Sequence, residues 1–244
     1  MDRVLKGWSR VVLLVGILAV ATAVALPLTG RTAGKIYKDG VTTGISDADD
    51  HGYGMAVLVI KDDKIVRVTL SEITQFGEPK DYDKYPWPAA KEAKEKLEKD
   101  FVANNGPQVD VYAKATSSSR KWIQAVERAL AKARVTPESK AKYFEGTFFG
   151  KSKADSHGYA VAWVTVENDK IKAVRLDEVT DGKFKDWKNY SYKVAVTARD
   201  EMQKRFVGKS SVAEIEQVDV VTGATNSGNK YKEAVANALK AAER

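Results

Sequence analysis

The two halves of this 244-residue chain repeat each other, and this repeat limits the available folds more than any other feature of the sequence. The same residue types recur at a spacing of about 106 positions, which shifts by a few positions only in predicted loops, where length changes cost little. Each repeat of roughly a hundred residues can bury its own core. We therefore predict a separate segment at 1–34 and two domains at 35–134 and 142–244. The first matched pairs are Tyr37/Tyr143, Gly40/Gly146, Gly44/Gly150, His51/His157, Gly52/Gly158 and Tyr53/Tyr159.

The residue pattern of each repeat predicts a β-hairpin followed by helices. In the first repeat, apolar and β-branched runs at 55–60 and 65–70 flank a polar turn, which is typical of a hairpin. Apolar residues at every fourth position from Ala89 to Phe101 mark the buried stripe of a helix. A short strand at 109–112 and a closing helix at 119–133 complete the repeat. The second repeat has the same pattern, with its hairpin at 160–166 and 171–176, its short strand at 218–221 and its closing helix at 229–243.

Hairpins followed by helices predict an α+β fold class rather than a doubly wound sheet. The expected architecture is two tandem repeats of an antiparallel sheet flanked by helices, after an N-terminal transmembrane or signal helix.

A run of small and hydroxyl residues leads directly into the last predicted helix. The first N–H groups of a helix lack partners and its dipole favours negative charge, so this position is a predicted phosphate site. Gly223 lets a phosphate or another backbone approach closely because it has no Cβ. Thr225 places a hydroxyl at the start of the helix, where an ordinary N-cap is the alternative interpretation. The candidate residues are Asp219, Thr222, Gly223, Ala224, Thr225, Asn226 and Ser227.

The pattern Asp-x-x-Thr-Gly-Ala-Thr resembles the flavinylation signature of the covalent FMN-binding domain family. That family includes the covalent-FMN subunits of sodium-pumping NADH:quinone reductase and of related membrane complexes. The resemblance implies that a flavin transferase splits FAD and esterifies the FMN phosphate to Thr225. It further implies that Asp219 orients the motif or serves the transferase. The remaining residues would shape the turn (Thr222, Gly223, Ala224) or donate hydrogen bonds near the phosphate (Asn226, Ser227).

The first repeat departs from this signature. Asp110, Thr116 and Ser117 keep their places, but Ala113 and Lys114 replace the threonine and the glycine. Lys114 adds a Cβ at a turn position where glycine would permit a positive φ, and a bulky side chain where the transferase would approach, whereas its charge attracts a phosphate. A second FMN on Thr116 is therefore left open.

Two further groups of residues recur in both repeats. The aromatic residues before the long helix would either flank a flavin or anchor a core or interface. The histidines would be either metal ligands or parts of a turn, and we favour a turn because no His or Cys partner lies at ligand spacing. We therefore expect no metal site. The aromatic residues are Tyr82, Tyr85 and Trp87 in the first repeat and Trp187, Tyr190 and Tyr192 in the second, and the histidines are His51 and His157.

The sequence of the N-terminal segment predicts that the rest of the chain is exported from the cytoplasm. Basic residues Arg3, Lys6 and Arg10 precede an apolar run at 11–28, so the chain start is expected in the cytoplasm and the rest outside. A retained single-pass anchor in the cell membrane and a signal peptide cleaved after Ala25, which would leave a secreted protein, are both open.

The chain has no cysteine, which excludes disulfides, thiolate metal sites and c-type haem. The charge of +7 is not clustered into a stripe, so we expect no nucleic-acid partner.

No Ser-His-Asp set, Gly-rich dinucleotide loop or Walker sequence is present, so any chemistry must come from a bound cofactor. We expect an electron carrier rather than a stand-alone enzyme. It would be a membrane-anchored, extracytoplasmic electron-transfer flavoprotein with FMN as a threonyl phosphoester. The expected partners are the flavin transferase, the membrane, and a quinone-linked or other redox donor and acceptor. The alternatives are a duplicated non-redox cell-envelope binding module and a subunit of a membrane redox complex.

Overall fold

The structure is a computed structural model that describes residues 34–244. Lys35–Arg244 forms one compact unit, in which we call residues 35–134 the first half and residues 142–244 the second half. The first half contains β1 (Gly40–Ile45), β2 (Tyr53–Lys61), β3 (Lys64–Ile73), α1 (Ala89–Ala103) and α2 (Thr116–Ala133). The second half contains β4 (Gly146–Lys151), β5 (Tyr159–Glu167), β6 (Lys170–Thr180), β7 (Lys183–Phe184), α3 (Lys193–Phe206), α4 (Val212–Glu216) and α5 (Thr225–Ala241).

The α+β class is confirmed, because each half is an antiparallel sheet packed against helices. The strand orders are β1-β2-β3 and β4-β5-β6-β7. Both predicted hairpins are present, and their two-residue turns have positive φ at Asp62 and Asp63 (50° and 60°) and at Asn168 and Asp169 (52° and 59°). Two consecutive residues with positive φ define the hairpin turn whose twist matches that of the strands, and Asn and Asp tolerate this conformation.

One glycine in each half lets the last long helix lie directly against a strand. A Cβ on Gly44 of β1 would lie 2.0 Å from the carbonyl oxygen of Ala125 in α2. A Cβ on Gly150 of β4 would lie 2.0 Å from the carbonyl oxygen of Ala234 in α5. Since the contacted atoms belong to helix backbone, no side-chain movement could relieve these contacts. The glycines therefore set the distance between each sheet and the helix that follows the motif.

Each half has its own hydrophobic core between its sheet and its helices, and a third cluster joins the halves. In β5 the residues of both faces are buried, because Val161 and Trp163 point away from the core of the second half. They pack with Phe149 against the turn at Ala48 and the loop at Phe76 in the first half. The Trp163 indole also donates a hydrogen bond to the carbonyl oxygen of Asp49 at 3.1 Å. The two halves therefore share a buried apolar interface.

The sequence prediction was wrong at the short strands. Residues 109–112 and 218–221 form no strand, and the backbone there makes turn bonds, such as Val218 N–H to the Ile215 carbonyl. Strands β1, β4 and β7 and the short helix α4 were not predicted. Within the described residues, no helix has the length and apolarity needed to cross a membrane. The predicted apolar run at 11–28 lies outside the described residues.

Candidate functional site

The motif of the second half forms a tight turn that leads directly into α5. The Ala224 N–H donates to the carbonyl oxygen of Val221 at 2.9 Å, and Gly223 has a φ of 84°. The helix begins at Thr225, four positions before the predicted start, so Thr225 is its first helical residue. Thr225 is exposed, as are Thr222 and Gly223. Thr225 is therefore accessible to solvent and to large molecules.

The N-terminus of α5 has no side-chain cap. The N-cap residue is Ala224, whose side chain has no hydrogen-bonding atom, and no side chain accepts from the first N–H groups within the described part of the chain. The N-cap interpretation of Thr225 is thus wrong, because the residue lies inside the helix. An uncapped helix start next to a residue with positive φ leaves N–H donors and the positive end of the helix dipole available to an anion.

An aromatic side chain supports the motif turn in each half. The Tyr192 hydroxyl donates to the carbonyl oxygen of Gly223 at 2.7 Å, and the Trp87 indole donates to that of Lys114 at 2.9 Å. A Cβ on Gly223 would lie 3.2 Å from the Tyr192 hydroxyl oxygen, so this contact also favours glycine. These two aromatic residues are anchors of the turn, which the sequence could not show because the partners are carbonyl groups distant in the chain.

The Asp-x-His-Gly turn before the hairpin holds the first turns of α5. Asn226 Nδ2 donates to Asp155 at 2.8 Å, and Lys230 Nζ donates to the same carboxylate at 3.1 Å. Hydrogen bonds from the Asn226 amide, the His157 backbone N–H and Lys230, in that order, lower the pKa of Asp155 to about 2. The carboxylate is therefore ionised at neutral pH and fixes the orientation of Asn226. In the first half, Lys121 makes the equivalent contact with Asp49 at 2.7 Å.

The histidines lie in these turns, as predicted. The backbone N–H of His51 and that of His157 each donate at 2.8 Å to an aspartate two positions earlier. Gly52 and Gly158 follow with φ of 98° and 88°. No group of three or more potential metal ligands lies within residues 34–244.

A buried glutamate connects the motif helix to the loop after the hairpin. Burial opposes ionisation of Glu178 most strongly, but hydrogen bonds from Lys185, Tyr231 and Ser227 hold its pKa below the usual value. The Tyr231 hydroxyl donates to this carboxylate at 2.6 Å, and Lys185 forms an ion pair with it. Burial and the neighbouring Glu178 carboxylate raise the pKa of Tyr231, so the phenol stays protonated.

The first half builds the same network around Glu72, with one exchange of residues. Ser118 and Lys80 donate to Glu72 at 3.0 and 2.8 Å, and Lys185 donates to Glu178 in the same way as Lys80 does to Glu72. The phenol, however, comes from Tyr82 in the loop, at 3.2 Å, instead of from the helix. Trp122 occupies the helix position of Tyr231, and Trp187 occupies the loop position of Tyr82. A tyrosine and a tryptophan have thus changed places while the glutamate keeps its phenol donor.

Two clefts border the start of α2 in the first half. One has a volume of about 550 Å³, and the other has a volume of about 710 Å³ and lies along the outer side of α2. Both volumes lie in the range of small-molecule sites, roughly 300–1,000 Å³. The smaller cleft combines apolar walls with three lysines, two acidic residues and the hydroxyls next to Thr116. Its lining includes His51, Ile73, Pro79, Lys80, Tyr85, Pro86, Ser117, Ser118 and Lys121.

The motif of the first half differs from that of the second in its turn. Lys114, at the position of Gly223, is not among the residues with positive φ, so the backbone takes another path there. The Thr116 hydroxyl donates to the Ala113 carbonyl at 3.3 Å, and Thr116 is half-buried. Helix α2 nevertheless begins at Thr116, after the uncapped Ala115, and Ser117 is exposed.

The two predicted aspartates lie at the edge of the motifs. Asp219 is exposed, and within the described residues its carboxylate has no hydrogen-bond partner, whereas its carbonyl accepts from Arg205 at 2.7 Å. Asp110 is also exposed. No contact of the Asp219 side chain therefore supports the predicted role in orienting the motif. The other predicted role, recognition by the transferase, stays a prediction.

The fold and the site together give an α+β scaffold whose last helix starts without a side-chain cap beside an exposed hydroxyl, an arrangement suited to an anion. Residues 157–240 match the FMN-binding domain family, from the Asp-x-His-Gly turn through the motif to the end of α5, and this match supports flavin binding by the second half. The chain is also similar to the CPE2226 protein from Clostridium perfringens, a solved structure. The two are 27% identical, the similarity covers 40% of this chain and 89% of the other, and the TM-score is 0.35. A comparison with curated proteins gives no match.

Proposed function

We propose that this protein carries FMN on Thr225 through a phosphoester bond and uses it to carry electrons. The observation that supports this most is the exposed Thr225 hydroxyl on the first turn of an uncapped helix, next to Gly223 with its φ of 84°. The residues present fit the cofactor, because a phosphate on Thr225 would lie beside unpartnered N–H groups at the positive end of α5. The FMN-binding domain match covers this same segment.

The attachment reaction requires a second enzyme, a flavin transferase that uses FAD. The Thr225 oxygen forms a bond to the phosphorus of the FMN part, the pyrophosphate bond of FAD breaks, AMP leaves, and the hydroxyl proton is released. The protein contributes the exposed hydroxyl and the turn held by Tyr192. The bound flavin supplies the redox chemistry, and the chain supplies its position and electrostatic surroundings.

We propose that the first half is a second, divergent copy of the same domain. The support is that the motif helix, the glutamate network and the close glycine contact occur at equivalent positions in both halves. A second FMN on Thr116 would have the neighbouring cleft of about 550 Å³ available. Two flavins in one compact unit would form a short electron relay.

We further propose that residues 35–244 act outside the cell, either anchored by the N-terminal segment or released from it. A covalent link is useful there, because lost FMN could not be replaced from a cytoplasmic pool. The link also keeps the flavin at high effective concentration in its cleft. The redox partners would be a quinone-linked or other donor and an acceptor of the membrane or its surroundings.

The experiment that tests the proposal follows the flavin through denaturation. Protein produced with a flavin transferase is unfolded in guanidinium chloride and passed through a gel-filtration column. Flavin fluorescence should elute with the polypeptide, because an ester survives unfolding and a non-covalent complex does not. A colourless polypeptide would contradict the proposal and favour the non-redox cell-envelope module.

Restoring the motif of the first half should raise its flavin content. In the variant with Ala113→Thr and Lys114→Gly, the turn can adopt the positive φ seen at Gly223, so Thr116 should become a better substrate. Peptide mapping by mass spectrometry measures the flavin occupancy of Thr116 in parent and variant. The single change Ala113→Thr is the control, because it leaves Lys114 in place.

If Thr116 is already fully modified in the parent, the transferase does not require glycine, and the two-flavin relay stands. If Thr116 stays empty in the restored variant, the first half is better described as a spacer that carries the flavin of the second half.

A further inference from the structure

One lysine in each half is held between a buried carboxylate and an aromatic ring. Lys80 Nζ lies 2.8 Å from Glu72 and 3.6 Å from the centre of the Tyr85 ring. Lys185 forms an ion pair with Glu178, and its Nζ lies 4.5 Å from the centre of the Tyr190 ring. Both lysine side chains are only 14% exposed. Because Lys80 and Lys185 occur at equivalent positions, the arrangement is repeated, whereas the tyrosine and tryptophan around it have changed places.

Each of these ammonium groups has N–H donors that are not used in the bond to its glutamate. An ammonium group has three N–H donors, and in the described part of the chain each Nζ donates to its glutamate alone. Lys80 lines the cleft of about 550 Å³ that borders Ser117 and Ser118, next to Thr116, so its remaining donors are available to a molecule in that cleft.

The network also places the lysine close to the motif. Ser118, two positions after Thr116, donates to one oxygen of Glu72, and Lys80 donates to the other. Two hydrogen bonds through one carboxylate keep Lys80 Nζ within about 8 Å of the Ser118 hydroxyl. In the second half, Lys185 and Tyr231 of α5 donate to the two oxygens of Glu178, which connects Lys185 to the motif helix. A flavin attached to Thr116 and lying in the cleft of the first half would thus pass Lys80, and one attached to Thr225 and lying on the equivalent side of α5 would pass Lys185.

We propose that Lys185, and Lys80 in the first half, stabilises the negative charge that the bound flavin gains on reduction. A flavin that takes up two electrons and one proton has one more negative charge than its oxidised form. A fixed ammonium group in a partly buried site favours that form, because attraction between charges is stronger away from water. Glu178 is a positioning residue that keeps the lysine in place, and the neighbouring ring limits its hydration. This role rests on the proposed flavin attachment.

The test is the midpoint potential of the flavin on Thr225, measured by titration of the full-length protein with dithionite in the presence of a reference dye. The Thr116→Ala background leaves one flavin to observe. In Lys185→Met the reduced form should become about tenfold less favoured, which lowers the potential by about 30 mV for a two-electron couple. Lys185→Arg keeps the charge and should retain most of the parent potential. Lys188→Met removes an exposed lysine of the same loop and is the matched control.

Loss of one partner of a buried ion pair can prevent folding, so a double variant, Lys185→Met with Glu178→Gln, removes both charges. The midpoint potential of the double variant should also fall, but by less than in the single variant, because removal of the glutamate charge partly offsets the loss of the lysine charge. The loss of the lysine charge should dominate, since the lysine side chain is 14% exposed and that of the glutamate only 2%. A potential that stays at the parent value in both variants, or that falls equally in Lys188→Met, would overturn this role. In that case the lysine is only a structural ion-pair partner. A parent protein that carries no flavin would instead contradict the proposed function.

Discussion

Replacing Thr225 with alanine should remove the flavin of the second half completely while the protein stays folded. The phosphoester needs the threonine oxygen, and neither Ser227 nor Thr222 occupies the first helical position. The loss of stability should be below about 1 kcal/mol, because Thr225 makes no capping bond that the variant would lose. Flavin absorbance per polypeptide measures the first effect, and the thermal midpoint measures the second.

Thr225→Ser is the matched control, since it keeps a hydroxyl at the same position and should retain part of the flavin. If Thr225→Ala keeps the flavin content of the parent, the attachment site lies elsewhere. If it loses flavin only together with its folded structure, the result does not identify Thr225 as the site, and mapping of the flavin-bearing peptide then decides.

Replacing Gly150 with alanine should destabilise the second half by about 3 kcal/mol or more. The new Cβ would lie 2.0 Å from the carbonyl oxygen of Ala234 and 2.4 Å from the backbone N of Ala238, so α5 has to move away from β4. Because Thr225 begins α5, the shift should also lower flavin attachment. Denaturation monitored by near-ultraviolet circular dichroism measures the loss.

Gly106→Ala is the control for this change, because the nearest atom to its Cβ is the side-chain oxygen of Gln108, which can rotate away. It should cost less than about 1 kcal/mol. Equal stability of the two variants would contradict the close packing of α5 on β4.

The hairpins, the long helices and the motif were predictable because each has a local signal. The polar residues at 61–64 and 167–170 separate apolar runs, and Gly223 and Thr225 stand next to each other and to the helix they begin. Strand β1 lacks such a signal, since Gly40 and Gly44 weaken its strand pattern and Gly44 is required by the helix that crosses it. The segment 218–221 has strand-like residues, but no neighbouring strand is available to pair with it, so it forms turns.

The parts of the site that could not be predicted depend on contacts between distant residues. Glu178 meets Tyr231 across 53 positions, and Tyr192 meets the Gly223 carbonyl across 31. In the sequence, Glu178 is one acidic residue among many, and its burial is visible only in the folded protein. The equivalence of the two networks is also hidden in the sequence, because the loop position is tyrosine in the first half and tryptophan in the second, whereas the helix position has the reverse.

The most direct test of the central claim is the intact mass of the protein, produced with and without a flavin transferase. With the enzyme, the mass should increase by that of FMN less one water for each modified threonine, and the modified peptide should contain Thr225. Without the enzyme, the mass should be that of the polypeptide alone. An unmodified mass under both conditions, with FAD present in the cell, would contradict covalent attachment of FMN to this protein.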